Sequence, residues 1–134
     1  MKNISRLKDS NLKVTPQRLE IVKILSTYGH MNINSLYEAL REKFPTLSLA
    51  TIYKNIHTMR DKSFLSEVKI PNQKNLYELK KEEHSHIVCS KCDDIIDIEL
   101  DTSSFINQAS SISNYKLDKS SIVLIGICPK CATI

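Results

Sequence analysis

Two cysteine pairs, Cys89-x-x-Cys92 and Cys128-x-x-Cys131, constrain this chain more than any other feature. A two-residue gap lets a short backbone knuckle aim both sulfurs at one ion, and two such pairs complete the tetrahedral shell of a structural zinc, one per chain. Four thiolates leave no position for a reactive water, so the site serves folding and a zinc hydrolase is disfavoured. The 35 residues between the pairs exceed the loop of a simple zinc ribbon. Intervening secondary structure must therefore bring the pairs together. Chance burial of two independent pairs is a poor alternative. A dithiol switch would need one pair opening a helix in a βαβ context, whereas Cys131 is followed by only three residues. A strong oxidant could still eject the zinc and oxidise the thiolates.

All four cysteines lie in the acidic part of a chain whose net charge of +4 hides a division. Residues 1–80 carry 14 Lys and Arg, including every arginine, against 7 Asp and Glu; residues 81–134 carry 5 against 8. With 134 residues, 41% hydrophobic and 25% charged, the chain suits one or two small globular domains, not a large enzyme, a fibre or a disordered protein. The longest apolar run, Ile122 to Cys128, falls far short of the roughly 20 residues that span a bilayer. No apolar segment follows Met1-Lys2-Asn3-Ile4-Ser5-Arg6, so no secretory signal or membrane association is expected, and the expected compartment is the cytoplasm, where thiols stay reduced.

A boundary is expected near Lys80-Lys81-Glu82-Glu83, dividing the chain into 1–80 and 81–134. Before it, Thr15-Pro16 reads as an N-cap with proline at the first helical position, Leu19, Val22, Leu25 and Tyr28 follow at helical spacing, and Gly29 closes the helix. A second helix is predicted from about Asn34 to Phe44, stopped by Pro45. Ser48 caps a third, Leu49 to Lys62, with Leu49, Ile52, Ile56 and Met59 on one face and Thr51, Lys54, Asn55 and Thr58 on the other, Tyr53 flanking. Strand-like segments Leu65–Ile70 and Asn75–Leu79 are joined by the turn Pro71-Asn72-Gln73-Lys74. Three helices and a hairpin make a winged helix. After the boundary, a strand at Ile95–Leu100, a helix at Thr102–Ile112 and an extended run at Ser121–Ile127 are predicted. With only 54 residues, this part needs a metal, dimerisation or both.

His84 and His86 alternate in an extended segment, which places both imidazoles on one face. Carboxylates at Glu78, Glu82, Glu83, Asp93, Asp94, Asp97 and Glu99 bracket the pair. A mixed imidazole and carboxylate set suits Fe(II), Mn(II), Zn(II) or Ni(II), with geometry choosing among them. Spacing alone leaves His84 and His86 evenly balanced between ligand and ordinary strand residues; it reads His30 as a surface or capping histidine and His57 as a plain helix residue.

Four motifs in order carry a family resemblance over essentially the whole chain: Val14-Thr15-Pro16-Gln17-Arg18, Leu49-Ala50-Thr51-Ile52-Tyr53-Lys54-Asn55-Ile56, His84-x-His86-x-x-Cys89-x-x-Cys92, and Gly126-Ile127-Cys128-x-x-Cys131. The chain resembles the ferric uptake regulator family of bacterial metal-dependent repressors. The resemblance implies an α+β fold, with an N-terminal winged-helix DNA-binding domain followed by a small C-terminal α/β dimerisation domain holding a structural four-cysteine zinc site. It also implies a regulatory Fe(II) or Mn(II) site of His30, Glu78, His84, His86 and Asp97, reaching from the first domain through the hinge into the second. Filling such a site would fix the domains in a DNA-competent pose, with metal and DNA tightening one another.

The same resemblance makes Tyr53 and Lys54 a base-contacting pair and Lys13 a minor-groove probe. Arg18, Thr51, Asn55 and Arg60 complete the expected DNA face, and Lys13, Arg18, Lys54 and Arg60 are expected to contact phosphate, making binding salt dependent. A homodimer would read a pseudo-palindromic double-stranded operator.

Within the family, the peroxide-sensing branch is the most similar. Glu83 and Ser85 stand where many iron-uptake members place the histidine and acid of an additional site, and no histidine follows His86. Asp97 matches the peroxide branch, whereas Glu78 departs from its usual aspartate. Ser63 and Asp93 stand where family members commonly have glycine. The function implied is a repressor that senses hydrogen peroxide when bound Fe(II) leads to oxidation of His30 or His84. Mn(II) would give a peroxide-insensitive form. The alternatives are an iron-responsive repressor of uptake genes and, in another class, a zinc-dependent protein-interaction module.

Overall fold

A computed structural model describes residues 2–133 and divides the chain into two compact units, Met1–Lys81 and Glu82–Ile134. The first unit runs α1 (Lys2–Asp9), α2 (Pro16–Tyr28), α3 (Ile33–Arg41), α4 (Leu49–Asp61), β1 (Leu65–Val68) and β2 (Leu76–Leu79). Thr15 caps α2 by accepting from the Arg18 amide at 3.2 Å, and Asn32 and Ser48 cap α3 and α4 in the same way. Ile21, Val22 and Leu25 of α2, Leu36 and Leu40 of α3, and Ile52, Ile56 and Met59 of α4 interlock in one core. β1 and β2 pair antiparallel, Leu65 opposite Leu79 and Glu67 opposite Tyr77, forming the wing.

In this unit two helices differ from expectation, and β1 stops at Val68, two residues short of Ile70. Helix α1 has no counterpart in the sequence reading, because a polar octapeptide with two apolar residues in its middle offers little periodicity. Tertiary packing supplies its reason: Leu7 and Leu12 are buried in the core and Arg6 lies over the Phe64 ring at 5.6 Å. Helix α3 stops at Arg41, not Phe44. Phe44 precedes Pro45, which disfavours helical backbone there, and its amide closes a turn onto the Leu40 carbonyl at 2.8 Å.

Ser63 ends α4 with φ of 59°, its amide bonded to the Arg60 carbonyl at 2.9 Å. An L side chain is strained in this left-handed region. Replacing Ser63 by Gly is expected to stabilise the first unit by about 1 kcal/mol, the strain relieved less the chain entropy glycine adds. In urea the midpoint would rise with unchanged slope.

The second unit comprises β3 (Ser85–Cys89), β4 (Ile95–Ile98), α5 (Ser103–Ser113), β5 (Val123–Gly126) and the one-turn α6 (Pro129–Ala132), the last not anticipated. β3 is the central strand, antiparallel to β4 and parallel to β5. Asp93 takes the left-handed backbone at φ of 64° and closes the turn after β3, its amide reaching the Cys89 carbonyl at 2.9 Å. A carboxylate-bearing residue therefore takes the place of a glycine there. Among the described residues, only Val88 and Cys89 are fully buried apolar side chains in this unit.

Candidate metal centres and nucleic-acid interface

Parallel pairing of β3 with β5 solves the problem of the long gap between the cysteine pairs. Cys89 lies opposite Gly126, and the Ser90 amide donates to the Gly126 carbonyl at 2.7 Å, so the chain two residues later delivers Cys128 beside Cys89. The four sulfurs all lie within 4.8 Å of one another. Cys92 Sγ and Cys128 Sγ are 3.8 Å apart, far beyond a disulfide and equal to the ~3.8 Å edge of a tetrahedron with zinc–sulfur bonds of ~2.3 Å.

Electrostatics point the same way. Amides of Cys92, Cys128 and Lys91 donate to Cys89 Sγ at 3.5, 3.3 and 3.4 Å and bring its thiol down to about 6. Its neighbour Cys131 is pushed up to about 12, first by its hydrogen bond with Cys128. One thiolate forms readily and the next resists. A dication would remove that conflict, so the donor set fits a thiophilic metal.

Each unit contributes part of the imidazole and carboxylate set. In the first, Gly29 ends α2 with φ of 84° and Met31 bridges antiparallel to Tyr77, exchanging hydrogen bonds of 3.1 and 2.8 Å. That bridge sets the preceding His30 beside the following Glu78, with Nε2 and Oε2 2.7 Å apart. In the second, His86 on β3 faces Asp97 on β4 in register, and His84 lies two residues before it on the same face. The two rings are edge to face at 4.6 Å, and Asp97 Oδ1 lies 3.7 Å from His84 Nε2 and 3.4 Å from His86 Nε2. The His84 Nδ1 contact with the Glu82 carbonyl at 2.8 Å orients that ring with Nε2 toward Asp97.

The expected DNA-facing residues lie on the first unit. Thr51, Tyr53 and Lys54 are exposed on α4, and Lys13 is exposed ahead of α2. Three others are engaged internally. Arg18 donates to Asn55 Oδ1 at 3.0 Å and to the Lys13 carbonyl at 2.9 Å. Asn55 also donates to the Thr51 carbonyl at 3.2 Å. Arg60 pairs with Asp61 at 3.1 Å and Glu67 at 3.4 Å.

Glu67 escaped the sequence reading, yet it is the hub of the wing. It accepts from Asn75 Nδ2 at 2.8 Å, from the Tyr77 hydroxyl at 3.0 Å and from Arg60. Its alternating position opposite Tyr77 is the only local signal. Burial pushes its carboxyl up, but the bonds from Asn75, Tyr77 and Arg60 outweigh this and hold it below the ordinary 4.5. A folded value below the unfolded one means that this stabilisation is complete above pH 4.5 and is lost as pH falls through the folded value. Glu67→Gln is therefore expected to flatten the acid limb of the first unit's pH–stability curve, measured by thermal melts.

A winged helix followed by a small α/β domain with a four-cysteine metal-site geometry defines the class of protein. The chain belongs to the ferric uptake regulator family, whose profile matches residues 9–125. It is 28% identical over 131 residues to the peroxide-responsive repressor PerR of Staphylococcus epidermidis, covering 96% of this chain and 87% of that one. Among solved structures, the Campylobacter jejuni peroxide stress regulator matches with 34% identity and a TM-score of 0.74, covering 98% of this chain and all of that one. The Vibrio cholerae ferric uptake regulator matches with 28% identity and a TM-score of 0.76, over 96% of this chain and all of that one. No helix among the described residues is long and apolar enough to cross a membrane.

Proposed function

We propose that this chain is a dimeric, metal-dependent transcriptional repressor that releases its operator on exposure to hydrogen peroxide. The observation that carries the reading is the pair of incomplete ligand sets: His30 with Glu78 in one unit, and His84, His86 and Asp97 in the other. His30 with Glu78 offers only two ligands, whereas His84, His86 and Asp97 offer a two-histidine, one-carboxylate face that leaves coordination positions open. A Fe(II) or Mn(II) ion shared by both would tie the units across the Lys80-Lys81-Glu82 hinge and select the DNA-binding pose. Zinc in the four-cysteine site would hold the second unit folded.

In this reading α4 enters the major groove with Thr51, Tyr53 and Lys54, while Lys13 reaches the minor groove and Arg18, Asn55 and Arg60, each bonded within the unit, support that face. The second unit would pair two subunits through the edge strand β5 and helix α5. Leu124 and Ile125 on that strand and Phe105 and Ile112 on that helix are exposed apolar side chains.

The similarity to the C. jejuni and S. epidermidis peroxide regulators supports peroxide as the signal. Fe(II), when bound, would cleave peroxide by a one-electron transfer that is recovered as the imidazole is oxidised, so hydrogen peroxide, ending as water, is the net two-electron oxidant. The chain supplies the target, His30 or His84, and an oxidised imidazole would no longer hold the clamp. A simple iron-responsive repressor is the second reading, favoured by Glu78 with its longer reach.

One experiment separates them. Duplexes selected from a random library by the Mn(II)-loaded protein are titrated with protein carrying Fe(II), Mn(II) or Zn(II), before and after low peroxide. Release from the Fe(II) form alone, with one oxygen added to a histidine in the intact mass, is expected. Retained binding and unchanged mass would leave the iron-responsive reading. No duplex binding with any metal would overturn both and favour the protein-interaction module.

A further inference from the structure

We propose that Arg18 and Asn55 are positioning residues, forming an internal clamp that holds the Lys13 backbone and helix α4 in one rigid reading head. The inference rests on the DNA-binding reading above. Arg18 stands in the first turn of α2, at the amide capped by Thr15. Its Nε donates to Asn55 Oδ1 at 3.0 Å across 37 residues of sequence, and its Nη1 donates to the Lys13 carbonyl at 2.9 Å. One planar guanidinium thus spans the segment carrying Lys13 and the helix carrying Tyr53 and Lys54.

The chemistry of the amide supports a holding role for Asn55. Reading adenine requires Oδ1 and Nδ2 to point together at a base edge. Here Oδ1 accepts from Arg18 while Nδ2 donates to the Thr51 carbonyl one turn earlier. Flipping the amide would set its NH2 against the guanidinium and its oxygen against a carbonyl, so the bonds lock one orientation. Asn55 is half-buried, whereas Tyr53 and Lys54 are exposed. Side chains on this helix are therefore divided between readers and struts.

The clamp's value is preorganisation. A loop held before DNA arrives loses less entropy on binding, and a reader fixed relative to α4 enforces spacing between its groove and the neighbouring one. Lysine keeps the charge of Arg18 but not the fork that donates in two directions. A phosphate contact would tolerate that exchange; a clamp would not.

The test uses full-length Mn(II)-loaded protein carrying Lys13→Ala, Arg18→Lys, Asn55→Ala or Lys13→Ala with Asn55→Ala. Each is titrated with the selected duplex over a range of salt. Arg18→Lys and Asn55→Ala are expected to weaken binding roughly 3- to 10-fold with unchanged salt slope, because no charge is removed. Lys13→Ala should cost less in the Asn55→Ala background than in wild type, the signature of coupled sites. Without DNA, hydrogen exchange at residues 11–15 should quicken in Arg18→Lys and Asn55→Ala, with the first unit's melting temperature serving as the control for global stability.

Additive losses, wild-type affinity in Arg18→Lys, altered base preference in Asn55→Ala, or unchanged exchange in both variants would each overturn the clamp. If wild-type protein binds no duplex, the DNA-binding reading fails, and exchange alone then decides whether the clamp orders Lys13.

Discussion

Removal of the ion from the four cysteines by a strong chelator, or replacement of Cys131 by Ser, is expected to unfold residues 82–134 while the winged helix stays folded. Three short strands bury Val88 and Cys89 as their only fully covered apolar side chains, and α5 has no buried residue. A unit of this kind has almost no core to resist the chain's entropy. Binding of structural zinc to small domains is worth roughly 10–16 kcal/mol near neutral pH, as much as the whole stability of an ordinary domain. Far-UV circular dichroism should show partial loss of signal on chelation, with one cooperative melt remaining for residues 1–81. Gel filtration should show the proposed dimer dissociating. A second unit that keeps its melting transition without metal would refute the assignment of Cys89, Cys92, Cys128 and Cys131 to a structural site.

The second large effect is expected at His86. Its ring lies on the central strand β3 directly opposite Asp97, so its removal takes away a proposed ligand that the sheet itself holds in place. If the proposed function holds, His86→Ala should abolish the rise in operator affinity expected from Fe(II) or Mn(II). Couplings between an effector and a second ligand typically lie between about 5- and 150-fold, and the variant is expected to lose all of it. Its zinc content and melting profile should stay those of the wild type, because the cysteine knuckles lie at the other end of β3. A metal response equal to that of wild type would remove His86 from the regulatory set.

These expectations draw unequally on sequence and structure. The caps at Thr15 and Ser48, the breaker Pro45 and the turn at Pro71-Asn72 act over a few residues, so the helix–hairpin order of the first unit is legible in the chain. Helix α1 is not, because Leu7 gains its burial from other elements rather than from its neighbours. His84-x-His86 is visible as a same-face pair through strand alternation. His30 has no such local signal; spacing suggests a surface residue, and only the family resemblance singles it out.

Local chemistry and charge, then, belong to the sequence by itself: four thiols in two knuckles, a basic first part, an acidic second part and capped amphipathic helices. Such features depend on spacing within a turn or two, which the chain carries directly. Tertiary structure alone decides that the Met31–Tyr77 bridge sets His30 against Glu78, that β3–β5 register carries Cys128 to Cys89, and that one guanidinium ties Lys13 to α4. Register between distant segments is chosen by which faces pack and which hydrogen bonds close, a choice made among all elements together and written in no single stretch of residues.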